Sequence, residues 1–148
     1  LVALAGVAGP EAGWDVGDYP DESSRPNAIV DFYGPIDLAH ITLGGGSVIR
    51  RAFGVDDLND PVLETYTPLA YITPDDAPFL IVHGIDDPTV PISHSEVLAA
   101  DLEAAGVPVT LLKVARLGHR IPYNDSSDPT YAGYMQALRA FLDETIGR

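Results

Sequence analysis

Four consecutive large apolar residues, Phe79-Leu80-Ile81-Val82, lie between Pro78 and Gly84. A continuous apolar run stopped by Gly and Pro predicts a strand covered on both faces, as in a parallel sheet. Val109 to Val114 predicts a second strand, and Ala28 to Tyr33, ended by Gly34-Pro35, a third. Between the first two runs, Ser93 and Glu96 have capping-box spacing, and Val97, Leu98, Leu102 and Ala105 share one helical face. Gly106 stops that helix and Pro108 follows. Asp128-Pro129 is read as cap and first residue of a last helix, whose apolar stripe is Tyr131, Tyr134, Met135, Leu138, Phe141, Leu142 and Ile146. Leu1 to Val7 reads as the last turns of another helix.

The remaining segments are irregular. Gly9 to Pro26 is a loop with one aromatic residue, Trp14. Ile36 to Asp60 holds the flexible run Gly44-Gly45-Gly46-Ser47 and a short helix over Val48 to Phe53. Pro61 to Tyr66 predicts a helical turn, and Thr73 to Ala77 a turn leading into the central strand. Strand, helix, strand, helix with short connections points to an α/β fold with a mostly parallel sheet flanked by helices. No repeat or long linker divides the chain, so residues 1–148 form one domain, with a cap-like irregular region at about 36–66.

Composition narrows the function classes. With 46% hydrophobic residues the chain can bury a core. A net charge of −14 repels phosphate backbones, so no nucleic-acid partner is expected. The absence of Cys removes disulfides, thiolate nucleophiles and Cys-based metal sites. Leu1 to Gly6 has no basic flank and is too short for a signal peptide or a membrane span. Cytoplasmic and secreted locations both stay open. The chain opens on Leu1 inside a helical pattern, and its only Met is Met135, which leads us to expect the C-terminal part of a longer protein.

Two polar groups stand where an open α/β sheet gathers its chemistry, just beyond the carboxyl ends of strands. Asp86 and Asp87 follow the central strand in a turn closed by Pro88; His119 follows the next strand, 32 residues after Asp87. Strands joined by one crossover helix are usually neighbours, which brings the two loops to one edge. A carboxylate bonded to an imidazole fixes its tautomer and stabilises the imidazolium formed in acyl transfer. Asp before His is the second half of the order nucleophile, acid, His. Asp is also a common turn former, and for one of the pair that reading holds.

The segments HGIDDPTVP, AADLEAAGVPVTLL and LGH resemble the C-terminal half of α/β-hydrolase esterases. DFYGPIDL (Asp31 to Leu38) and TPLAYITPDDAPFLIVHG (Thr67 to Gly84) are most similar to the feruloyl/acetyl-esterase-like, hormone-sensitive-lipase-related carboxylesterases, with prolyl-oligopeptidase-type hydrolases as near relatives. The resemblance covers Ala28 to the C-terminus. It implies Asp87, third after the Gly of the His-Gly pair, as catalytic acid, with Asp86 on a variable position and kept as a turn residue. It further implies His119 as catalytic base, and Ile36 and Asp37 as pocket or supporting residues. Val90 and Ile121, apolar and beside the two catalytic loops, are candidates for an acyl or alcohol pocket. Three positions depart from the family pattern. Arg116 stands where Gly is usual, Arg120 where a small residue is common, and Thr67 where Ser is common.

No Gly-x-Ser-x-Gly occurs in the chain. Ser23, Ser24, Ser126 and Ser127 read as loop residues, Ser47 belongs to the Gly-rich insert, and Ser93 and Ser95 to a helix start. The first strands of the sheet and the nucleophile elbow are expected upstream of Leu1. Loss of the nucleophile alone costs on the order of 10⁶ in turnover in a well-studied serine protease. The chain by itself is therefore expected to be inactive, and the parent to be a serine carboxylesterase acting on a small-molecule ester without a cofactor. The competing readings are a non-catalytic hydrolase-like binding module and a prolyl-oligopeptidase-type peptidase. An uncovered sheet edge leads us to expect self-association. His83 reads as structural packing, His94 as a solvated helix-start residue, and His40 has no nameable partner. No metal site is expected, because the His and carboxylate spacing fits no ligand set. Asp56-Asp57 and Asp75-Asp76 read as loop solvation.

Overall fold

The computed structural model describes residues 1–14, 16–19, 22–38, 45–121 and 126–147. The chain runs α1 (Val2–Val7), β1 (Ile29–Phe32), α2 (Gly45–Phe53), β2 (Phe79–Gly84), α3 (Ser93–Ala105), β3 (Val109–Val114) and α4 (Tyr131–Thr145). Short 3-10 turns cover Pro10–Ala12, Pro61–Tyr66 and Pro68–Tyr71. The strands form one parallel sheet in the order β1-β2-β3. Phe79 registers with Ile29 on one side and Val109 on the other.

The buried run becomes the middle strand because only that position is covered everywhere. Every residue of β2 is buried. Phe79 and Ile81 pack with Ala3 and Val7 of α1 and Leu98 and Leu102 of α3. Leu80 and Val82 face the other way, with Val114, Leu117 and, from α4, Leu138 and Phe141. Helices on both faces make a three-layer α/β unit. A third, separate cluster (Leu38, Ile49, Val55, Leu63) holds the cap-like region together.

Several boundaries differ from the sequence reading, each for a tertiary reason. α2 begins at Gly45, inside the run that composition marks as flexible. Ile49 and Phe53 of α2 pack into the cap cluster, and a side chain at Gly46 would stand 2.8 Å from Leu58 Cδ1. Ser93 is not the cap of α3. Ile92 takes that place without a side-chain cap bond, and Glu96 pairs with Lys113 of β3 at 2.6 Å. Val97 is exposed rather than on the buried face. α4 starts at Tyr131 with Thr130 as its cap, accepting from the Gly133 amide. Asp128 cannot cap it, because its backbone forms an antiparallel bridge with Ala115.

Asp76 is not loop solvation either. It is buried and accepts from Arg25 Nη2, Thr73 N and Thr73 Oγ1, each at 2.8 Å, pinning the segment before β1 to the turn before β2. Asp56 and Asp57 are exposed, and Asp57 accepts from the Asn59 amide at 3.0 Å. Residues 39–44 of the cap-like region, His40 among them, lie outside the described residues. No helix among the described residues is long and apolar enough to cross a membrane.

Candidate active site

The two loops predicted to meet do meet, at the carboxyl edge of the sheet. β2 ends at Gly84, which lies so close to the Leu117 carbonyl that any β-carbon there would collide with it. That approach lets the Asp86 amide donate to the same carbonyl at 3.1 Å, tying the two loops together through backbone. The Asp86 side chain stays exposed, whereas that of Asp87 has no solvent access. Asp87 Oδ1 accepts from the amides of Thr89 at 2.8 Å and Val90 at 3.0 Å. Its Oδ2 stands 2.8 Å from His119 Nδ1. A buried carboxylate is tolerated when its oxygens are satisfied in this way.

His119 faces two environments. Its Nδ1 meets a buried carboxylate, yet 34% of its side chain remains exposed. Because a carboxylate accepts, the contact selects the tautomer with the proton on Nδ1 and leaves a lone pair on Nε2. That is the form in which an imidazole removes a proton from a nucleophile. The Tyr33 ring lies 4.5 Å from the His119 ring at 55°, walling one side. Arg116 adopts φ 57°, a backbone conformation that glycine takes at least cost. This accounts for the departure from the family pattern: the turn keeps the shape Gly would give it. Arg116 Nε donates to the Ser126 carbonyl at 2.5 Å across the loop.

The four pocket candidates separate. Ile36 and Val90 are each 3% exposed, so both side chains are buried in the interior beside the two loops. Ile36 packs with Ala3, Val7 and Leu98, while the Val90 amide serves Asp87. Asp37 is half-buried and borders a cleft of about 220 Å³ with Leu58, Asp60, Leu63 and Glu64 of the cap-like region. Ile121 is half-buried at the end of the His119 loop.

Three residues carry more than their sequence reading. His94 is buried, not solvated: its Nδ1 accepts from the amides of Ile36 at 3.3 Å and Asp37 at 3.4 Å, holding the loop after β1 against α3. His83 is fully buried as expected of a packing residue, but it also lies beside Asp87, with Nε2 3.4 Å from Asp87 Oδ2. Asp31 of β1 has no role that its sequence position predicts. It is buried, with one carboxylate oxygen lacking a hydrogen-bond partner among the described residues, and desolvation raises its pKa above 3.8 despite the amide of Gly34. An Asp in an otherwise apolar strand was the signal that could have flagged it. Among the described residues no group of three or more His, Asp or Glu side chains could hold a metal ion.

Comparison with known proteins agrees with this architecture. The BD-FAE family model matches residues 1–102. A truncated carbohydrate esterase from gut microbiota superposes with a TM-score of 0.72 at 24% identity, covering 99% of this chain and 55% of that one. An acetyl ester-xyloside bifunctional hydrolase from Caldicellulosiruptor lactoaceticus gives 0.72 at 28% identity, covering 98% and 52%. An esterase from the planctomycete Thermogutta terrifontis, Est2, gives 0.66 at 21% identity, covering 96% and 50%. No curated protein matches the sequence. The chain thus spans about half the length of the solved structures it resembles. Its family match and its parallel, helix-flanked sheet lead to one conclusion: the chain belongs to the BD-FAE family, the bifunctional feruloyl/acetyl esterases of the α/β-hydrolase class.

Proposed function

We propose that this chain supplies the acid and the base of a serine-type carboxylic-ester hydrolase, acting in the complete protein on an acyl ester carried by a carbohydrate. Asp87 orients His119. His119 takes the proton of a serine hydroxyl as that oxygen attacks the ester carbonyl, and returns it to the departing alcohol. The charge on Asp87 stabilises the imidazolium in between. Water then repeats the cycle on the acyl-enzyme and releases the acid. The observation that carries this reading is the 2.8 Å contact between Asp87 Oδ2 and His119 Nδ1, made between the loops after two neighbouring strands. Family membership and the relatives' ester substrates support the substrate class. Asp37 and Ile121 are the side chains we assign to the substrate's surroundings, Asp37 toward the cap-like region and Ile121 beside the base.

The test uses the complete protein. Asp87→Ala and His119→Ala should each lower turnover of a short-chain aryl ester by about 10⁴-fold or more. Both variants should keep cooperative unfolding near that of the wild type. Near-full activity in either would overturn the assignment. Turnover of an amino-acyl anilide in place of the ester would move the reading to a peptidase.

A further inference from the structure

His83 and Ser95 form a buried pair that the proton transfer itself does not use. His83 ends the apolar run of β2, and Ser95 lies in the first turn of α3; neither has any solvent exposure. The Ser95 hydroxyl is 2.6 Å from His83 Nδ1, and the Val90 carbonyl is 2.9 Å from His83 Nε2. A carbonyl can only accept, so Nε2 carries the proton and donates it to Val90. Nδ1 is then an acceptor, and the Ser95 hydroxyl donates to it. One neutral tautomer satisfies every group, and the opposite one would set a lone pair against the Val90 carbonyl.

This arrangement closes a ring around the acid. The Val90 amide donates to Asp87 Oδ1 at 3.0 Å, and the carbonyl of the same residue accepts from His83. The His83 Nε2 that holds Val90 also lies 3.4 Å from Asp87 Oδ2, the oxygen that meets His119. Tyr33, at a strained φ of 46°, presents its ring to both imidazoles, 6.5 Å from His83 and 4.5 Å from His119.

We propose that His83 and Ser95 are positioning residues. Ser95 fixes the tautomer of His83, and His83 in turn holds the acid loop so that Asp87 Oδ2 stays aimed at His119. The proposal rests on the assignment of Asp87 and His119 above. Its consequence is that a hydroxyl on α3, remote from the substrate, controls turnover without affecting substrate binding.

The experiment is nitrogen-15 histidine NMR, paired with ester kinetics, on the complete protein. In the wild type, His83 should show a protonated Nε2 and an unprotonated, hydrogen-bonded Nδ1. His119 should show a downfield Nδ1 proton that disappears in Asp87→Asn. In Ser95→Ala that His119 proton should broaden or shift, and kcat should fall by about 10- to 100-fold with KM within about twofold. Ser95→Thr, which keeps the hydroxyl, should restore both. A wild-type His83 protonated on Nδ1 overturns the proposal without any variant. So does a Ser95→Ala protein whose His119 signal and kcat are unchanged. If instead the wild type lacks an Asp87-dependent His119 proton, it is the acid and base assignment that fails.

Discussion

Two aspartates belong to two neighbouring strands of this sheet, one inside β1 and one just beyond β2, and the chain treats them oppositely. Asp87, after β2, gives one oxygen to two backbone amides and the other to His119, with His83 alongside. Asp31, in β1, is just as buried, yet one of its oxygens has no hydrogen-bond partner among the described residues. Burial alone therefore does not make a useful charge. A carboxylate surrounded by donors can remain an anion and stabilise a neighbouring imidazolium. Burial with too few donors favours the neutral form, and desolvation is the main cause of the raised pKa of Asp31.

The contrast is sharpest in turnover. Asp87→Asn in the complete enzyme should cost about 10⁴-fold in kcat, because the amide favours the wrong tautomer of His119. Asp31→Asn, assayed beside it, should cost less than about tenfold, since remote polar changes act only through small displacements. Equal losses would erase the distinction between the two carboxylates.

Two glycines carry the comparison into stability. A β-carbon at Gly84 meets the Leu117 backbone, which cannot retreat without moving the loop that bears His119. A β-carbon at Gly34 meets the Asp31 carboxylate at 2.5 Å, a side chain with some freedom to turn. Gly84→Ala should therefore lose about 2–3 kcal/mol in urea unfolding and Gly34→Ala about 1 kcal/mol. The reverse order would mean that the loop after β2 yields more easily than the Asp31 side chain.

Asp31→Asn should also change the pH dependence of folding. Burial raises the folded-state pKa above the ordinary 3.8, so the folded chain retains a proton that the unfolded chain has released. Stability from this group is therefore lost as pH rises from about 3.8 through the folded value. Asn removes that slope, and the variant's urea midpoint should gain on the wild type as pH rises through the window. A parallel pH profile for the two proteins would show that Asp31 is already satisfied. The smallest effect is expected at Glu96. Its pair with Lys113 is nearly half exposed on both sides, so Glu96→Ala should cost less than about 0.5 kcal/mol. A loss near 1 kcal/mol would restore the capping role that the sequence suggested.

The loops that met did so because of signals that need only local spacing. The apolar run Phe79 to Val82, the break at Gly84 and a His one strand later are enough to bring Asp87 and His119 to one edge. Local spacing did not separate Asp86 from Asp87; the family resemblance did, and the Asp86 side chain is exposed where that of Asp87 is buried. Helix starts were less legible. Ser93, Glu96 and Asp128 all have the chemistry of caps, but Glu96 is drawn to Lys113 and the Asp128 backbone is committed to Ala115. Those partners are distant in sequence, and a local pattern cannot register them.

By itself the sequence determined the middle strand, the parallel α/β order and the acid–imidazole pair, because hydrophobic periodicity and strand adjacency are properties of short stretches. Only the tertiary structure decided which polar residues become partners. His94 holds the loop after β1, Ser95 turns to His83, Ile36 and Val90 sink into the interior, and Asp31 is buried with one oxygen that finds no hydrogen-bond partner among the described residues. Each of these depends on which element is packed opposite, and for a buried polar group that partner decides whether it is structural support, functional machinery or strain.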